Sequence, residues 1–259
     1  MKKIIALLTT TIFTIISYGQ ETNNLDKVLD RFDFNLELKS NHLWKGIIVS
    51  DVPIAAVDLN YSLDRNKNLK IGVWGGMGLS DNNGEHYHEI NYYINYGTKR
   101  YGIGIWDVFN STGREKGDPN NDIWNYDRKD TGHRLDLRGY VVFAENFPLR
   151  LDLVSSFFGE DRKENKDRDQ KFSTNVELSY PIIDNEKINV NLFCGGAFPL
   201  NGGQSHFYGN EKHDFDIVNV GFKAAKDIPV LGYKLPVSAT VMWNPSNKEA
   251  RVQIATSLF

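Results

Sequence analysis

Phe32-Asp33-Phe34-Asn35-Leu36-Glu37-Leu38-Lys39 alternates apolar and polar residues without a break. This period of two is what a strand with one dry and one wet face requires. The pattern recurs along the chain. Ala55, Val57, Leu59 and Tyr61 face away from Ala56, Asp58 and Asn60. Ile90, Tyr92, Ile94 and Tyr96 face away from Glu89, Asn91, Tyr93 and Asn95. Leu135 and Leu137 oppose Arg134, Asp136 and Arg138, and Val176 and Leu178 oppose Asn175, Glu177 and Ser179. About twelve segments of this kind follow one another from residue 32 to the end, each close to the ten residues that a tilted membrane strand needs. No helical period competes with them.

The connections separate a barrel from a soluble sandwich. Short ones (64–68, 97–99, 145–147, 184–186 and 227–232) alternate with longer polar ones (45–53, 80–86, 111–131, 160–170 and 199–213), and only the last, 245–248, breaks the rule. Short turns at one end and long loops at the other, with an even strand number, characterise outer-membrane barrels. The polar face carries Glu37, Asp58, Trp74, Glu89, Tyr93, Arg134, Arg138, Arg150, Asp152 and Glu177. Packed into a sandwich core, the charges among them would be costly. In a barrel they line a polar lumen. The expected fold is all-β, a single antiparallel transmembrane β-barrel over residues 32–259.

The remaining features agree with export. Residues 1–19 have the three parts of a secretory signal: Lys2 and Lys3, an apolar run, and Ser17-Tyr18-Gly19. The apolar run is shorter than the 20 or so residues of a spanning helix. Cleavage after Gly19 leaves residues 20–31 as a short periplasmic segment. The lone cysteine, Cys194, rules out an internal disulfide, and none lies near the junction for lipid attachment. The 259 residues carry a net charge of −3 with both signs interspersed, which excludes a nucleic-acid binder. The chain closes on Leu258-Phe259, a terminal aromatic of the kind barrel-insertion machinery recognises. The implied partners are outer-membrane lipid, that machinery and a small polar solute.

Leu43-Trp44-Lys45-Gly46-Ile47, with Ser50 and Pro53 after it, then Gly72-Val73-Trp74 and Glu89-Ile90-Asn91-Tyr92-Tyr93, carry a family resemblance. Over residues 36–110 the chain resembles the Gcw-type (TorF-like) family of outer-membrane proteins. The family's usual aromatic-Arg-Gly is here Trp44-Lys45-Gly46, and its serine two positions after the Gly-x-Trp is here Gly76. The resemblance implies an outer-membrane address and no particular activity.

Several residue groups bear on chemistry. Trp44, Lys45 and Gly46 lie where the first strand gives way to its loop. Trp44 there reads as an aromatic of the membrane interface, with Gly46 freeing the turn. The other reading folds the motif inward, so that Lys45 draws anions. Glu89 beside Trp74 and Tyr93 suits a cationic or sugar-like solute. Equally, Glu89 and Glu37 can pair with Arg134 and Arg138 across a packed lumen. Asp118, Asn120 and Asp122 alternate like the start of a calcium loop, but the glycine and closing glutamate are missing. His86 and His88 share a face without a third ligand, Ser205-His206 does not make a hydrolytic pair, and no G-x-S-x-G occurs. No metal, cofactor or catalytic residue is expected. The leading function is a passive channel or small-solute transporter. The alternatives are a closed barrel with a structural or surface-interaction role and, less favoured, a barrel enzyme.

Overall fold

A computed structural model describes residues 22–165, 167–202, 205–209 and 213–258. The expected signal segment, the start of the expected periplasmic segment and terminal Phe259 lie outside the described residues. A short helix, α1 (Thr22–Leu29), occupies most of residues 20–31, expected as a short periplasmic segment. Twelve strands then close a barrel: β1 (Phe32–Lys39), β4 (Ile54–Ser62), β5 (Leu69–Asn82), β6 (Glu85–Gly97), β7 (Tyr101–Asn110), β8 (His133–Val142), β9 (Arg150–Gly159), β10 (Ser173–Asp184), β11 (Asn189–Pro199), β12 (Asp216–Val230), β13 (Tyr233–Asn244) and β14 (Glu249–Ser257). The expected architecture is therefore the observed one. Two further strands, β2 (His42–Trp44) and β3 (Ile47–Ser50), pair only with each other.

Every barrel strand pairs antiparallel with its neighbours in sequence, and β1 closes on β14 through Glu37↔Ser257, Leu38↔Thr256 and Lys39↔Ala255. Closure leaves no edge to template aggregation. Twelve crossings, an even number, bring both ends of the barrel chain to one rim, the turn end. The long connections gather at the other, the loop end.

The strands extend farther toward the loop end than their alternation suggests. The connection expected at 80–86 is one case. β5 and β6 instead run on into a two-residue turn at Asn83-Gly84, both with positive φ (53° and 87°), as a type I′ hairpin turn needs.

The alternation sorts the two faces. Phe34, Leu59, Ile71, Ile94, Ile103 and Leu178 stand exposed on the outer wall. In water so large an apolar surface marks an interaction site. Exposed aromatics collect at both rims of the wall, with Phe32, Tyr96, Tyr101 and Tyr233 at the turn end and Trp243 and Phe157 at the loop end. The inner face is polar, and Asn91, Asp136, Asn175, Glu177 and Asn219 are buried there. A register shift at Gly195/Gly196 between β11 and β12 leaves consecutive residues Val218 and Asn219 both buried. Together they form a seat for the hairpin described next.

Candidate functional site

The first loop enters the barrel. Trp44-Lys45-Gly46-Ile47 forms the tight turn joining β2 to β3, with positive φ at Lys45 (48°) and Gly46 (89°). A chain bending this sharply needs residues that tolerate the left-handed region, and glycine does so at no cost. Gly46 also has no room for a side chain, since a Cβ there would overlap the Val218 carbonyl. Asn244 Nδ2 donates to the Gly46 oxygen at 3.1 Å and to the Tyr208 oxygen at 2.9 Å. Lys45 Nζ lies 2.8 Å from Glu177 Oε1, and Asn219 Nδ2 donates to the other oxygen of the same carboxylate. At the root of the hairpin, Asn41 Nδ2 donates to the Val252 oxygen and Gln253 Nε2 to the Asn41 oxygen.

Two expectations are corrected here. Trp44 is not an aromatic of the outer interface, because the hairpin carries it inside to pack with Ile47 and Phe207 against Ala197, Tyr208 and Val218. Nor is Lys45 held free for anions, because Glu177 takes its charge. The exposed aromatics at the two rims occupy the interface position instead.

The residues assigned to the lumen all lie on the inner face, and Glu37, Arg134, Arg138, Arg150 and Asp152 pair along their own strands rather than across the lumen. Arg134 Nε is 3.1 Å from Asp136 Oδ1 and Arg138 Nη2 is 3.2 Å from Asp136 Oδ2. Ser156 donates to the same carboxylate at 2.6 Å. Glu37 pairs with Lys39 at 2.8 Å and Arg150 with Asp152 at 2.8 Å, the Arg150 guanidinium lying 3.9 Å over the Tyr140 ring. Asp58 accepts from Tyr93 at 2.7 Å. The expected network joining Glu89 and Glu37 to Arg134 and Arg138 is absent among the described residues. Residues two apart on one inward face meet directly, so β1, β8 and β9 pair their own charges before the far wall is reached.

Glu89 is the exception. Its carboxylate accepts from Asn91 at 2.7 Å and from Tyr87 and Asn110 at 3.2 Å, all neutral donors. Among the described residues no cation lies within ion-pair distance of it.

Above Asp136 the guanidinium groups stack on rings. Arg138 lies 4.2 Å from the Trp106 centroid and 5.3 Å from Trp44, and Arg134 lies 5.2 Å from Trp44 and 4.7 Å from Phe207. Such contacts suit arginine, whose flat and weakly hydrated face stacks readily. Trp106 in turn stacks on Tyr93 at 4.3 Å. Trp74 stacks on His42 of the hairpin at 5.4 Å. Burial, reinforced by nearby Lys39, lowers the pKa of His42 to about 3.

These layers divide the lumen. A vestibule of about 570 Å³ opens toward the loop end between the hairpin and the β5–β8 wall, and a cavity of about 430 Å³ lies toward the turn end. Trp44, Trp106 and Arg138 line both and form the partition between them.

Sequence reasoning named Trp44, Trp74, Glu89, Arg134 and Arg138 for this region. It missed Trp106 and Asp136, although both sit on the inward phase of their strands. His42, Phe207 and Tyr208 come from loops, where no periodicity marks them.

The remaining candidates are placed elsewhere. His86 Nδ1 is 2.7 Å from Asp81, with its ring 4.6 Å from that of His88. Pro119–Asn121 forms a single 3-10 turn in which the Asp122 carboxylate accepts from Trp124 N and the Asn120 backbone oxygen from Arg114, while the Asn120 side-chain oxygen is buried without a hydrogen-bond partner. His206 is buried with Nε2 3.3 Å from Asp216.

The architecture is that of a transmembrane β-barrel with an apolar outer wall, a polar interior and an inward-folded first loop. No protein-family model and no curated protein matches the chain. Four solved chains match in structure. One, from work described as "Unveiling the Mechanism Behind the in-meso Crystallization of Membrane Proteins", aligns over 87% of this chain and 82% of its own at 8% identity and a TM-score of 0.45. Another, described as "Bacterial polysaccharide outer membrane secretin", aligns over 79% and 67% at 13% identity and a TM-score of 0.37.

Proposed function

We propose that this chain is an outer-membrane protein that passes small polar solutes through a lumen narrowed by its own first loop, with no chemistry of its own. The apolar outer wall, the aromatics at both rims and the secretory signal support the membrane address, and the Gcw-type resemblance points the same way. The observation that carries the function is the pair of cavities meeting at Trp44, Trp106 and Arg138. A barrel serving only as a scaffold has no need of cavities at both ends of one thin partition. The solute enters the vestibule from outside and waits on displacement of the Trp44 layer, so the passage is gated rather than open like a wide porin. Folding and insertion would rest on lipid and on the barrel-insertion machinery.

A second reading has one observation in its favour. The hairpin tip is fixed by Lys45–Glu177, by Asn244 and by the fit of Gly46 against β12, which suits a barrel that never opens. Planar-bilayer conductance of the full-length protein decides. Small, infrequent openings in the wild type, enlarged in Lys45→Met, are expected for the gated passage. Silence in both, with both folded, establishes the closed barrel.

A further inference from the structure

The vestibule lining holds two poles of opposite charge, the β8 arginines and the β6 carboxylate Glu89, with Asp161 a further carboxylate that acts on Arg134. On β8, Arg134 and Arg138 both pair with one carboxylate, Asp136. Arg138 Nε is buried with no hydrogen-bond partner. On β6, Glu89 receives only neutral donors, leaving one negative charge, and the buried Oδ1 of neighbouring Asn91 has no partner. Both poles line the same cavity. The register Glu89↔Asn110 and Val108↔Arg134 sets Glu89 and Arg134 two strands apart with an offset of one pleat, a backbone separation of roughly 12 Å, with Arg138 two pleats further toward the turn end. Trp44, Trp74 and Trp106 supply apolar surface around them.

The geometry points to this vestibule as a binding site for a short zwitterionic peptide, its carboxylate toward Arg134 and Arg138 and its ammonium toward Glu89. The inference rests on the solute-passage reading and names the solute class. An anion would satisfy the arginines and be repelled by Glu89, and a cation would do the reverse. A neutral solute would give neither pole a partner of opposite charge in a partly desolvated space, where charge is expensive. A free amino acid carries both charges on one carbon and cannot reach both walls. Two or three extended residues span about 7–11 Å and can. A cavity of about 570 Å³ accommodates such a chain with water around it.

Isothermal titration of the full-length protein in detergent tests this with trialanine, N-acetyl-trialanine and trialanine amide. Trialanine is expected to bind, and blocking either end to weaken it by about tenfold or more, the usual effect of losing a charged hydrogen-bonding partner. Glu89→Gln should abolish discrimination against the acetylated peptide and keep it against the amide. Arg138→Gln should do the opposite. Equal affinity for all three peptides, or no saturable binding of trialanine, overturns the inference. Should either variant fail to fold, the blocked peptides on the wild type decide alone. Uptake into proteoliposomes separates the two claims. Binding of trialanine without uptake sinks the passage and leaves the site, while uptake of small solutes with no preference for the unblocked peptide sinks the site and leaves the passage.

Discussion

The first and third loops are both polar connections at the same rim, yet one enters the barrel and most of the other folds back along its outside, with Thr112 and Arg114 at the vestibule. In the first loop (residues 40–53) a type I′ turn narrows the hairpin to a tip of Lys45 and Gly46, small enough to descend between the walls, and Glu177 offers the tip a countercharge. The third loop (residues 111–132) has no hairpin. It drapes over the outward-facing side of β7 and β8. There His133 Nδ1 lies 2.7 Å from Asp107, Nε2 lies 2.9 Å from the Ile123 oxygen, and Tyr126 donates to Asp107 at 2.6 Å while stacking on the His133 ring at 4.1 Å. Trp124 is left 74% exposed on that side. Loop length therefore says little about what a loop does. Whether the chain can turn tightly, and where a buried partner waits for it, decides the direction.

Four variants or conditions sharpen this contrast. The largest effect is expected for Lys45→Met, which leaves Glu177 without its countercharge in a confined site. Breaking a buried pair from one side costs about 3–5 kcal/mol, to be read as a lower midpoint in urea unfolding, together with higher conductance. A stability loss with unchanged conductance would mean that the first loop is not the gate.

Gly46→Ala should follow. It puts a Cβ where φ is 89° and the Val218 carbonyl already stands, at a cost of about 2–3 kcal/mol. Its conductance should rise as in Lys45→Met. A stable, silent Gly46→Ala would show that the tip need not approach β12 so closely.

Acidification comes third. The folded pKa of His42, about 3, lies below the ordinary 6.5. Its neutral ring therefore contributes stability that is complete above pH 6.5 and is lost as pH falls toward 3. Lys39 sharpens the loss, and Tyr87, whose ring is 6.0 Å away, offers no charge to offset it. At pH 5 the loss amounts to about 2 kcal/mol. His42→Gln should remove this part of the pH profile, and an unchanged profile would move the acid sensitivity elsewhere.

His133→Ala is the smallest. It removes the anchor of the third loop and leaves Asp107 with Tyr126 alone, costing about 1–2 kcal/mol. Limited proteolysis of residues 111–132 should speed up while conductance stays at the wild-type level. A conductance change in this variant would erase the functional distinction between the two loops.

Much of this was legible before any coordinates. Residues 32–39 announce a strand with one wet face because side chains in a strand alternate by geometry, and the same period places Glu89, Arg134 and Glu177 inward. Loop geometry was less accessible. The motif Trp44-Lys45-Gly46 was visible, but its direction depends on a seat built from Val218, Asn219 and Glu177, residues some 130 or more positions away. The pairing of Arg134 and Arg138 with Asp136 was within reach, since the three alternate on one strand. Cross-lumen pairing with Glu89 and Glu37 gives way to it because the first-loop hairpin, which has no local signature, fills the middle.

The sequence by itself determined the barrel. Period-two alternation and the rhythm of short and long connections are local properties, written residue by residue and satisfied by nearest-neighbour strands. What only the tertiary structure decided is the interior: that the first loop fills it, that Trp44 stands between two guanidinium groups, and that Glu89 is left without a cation. Those outcomes depend on which distant side chains share a small volume after closure, and burial and charge compensation within that volume are properties of the closed barrel that no single stretch of chain encodes.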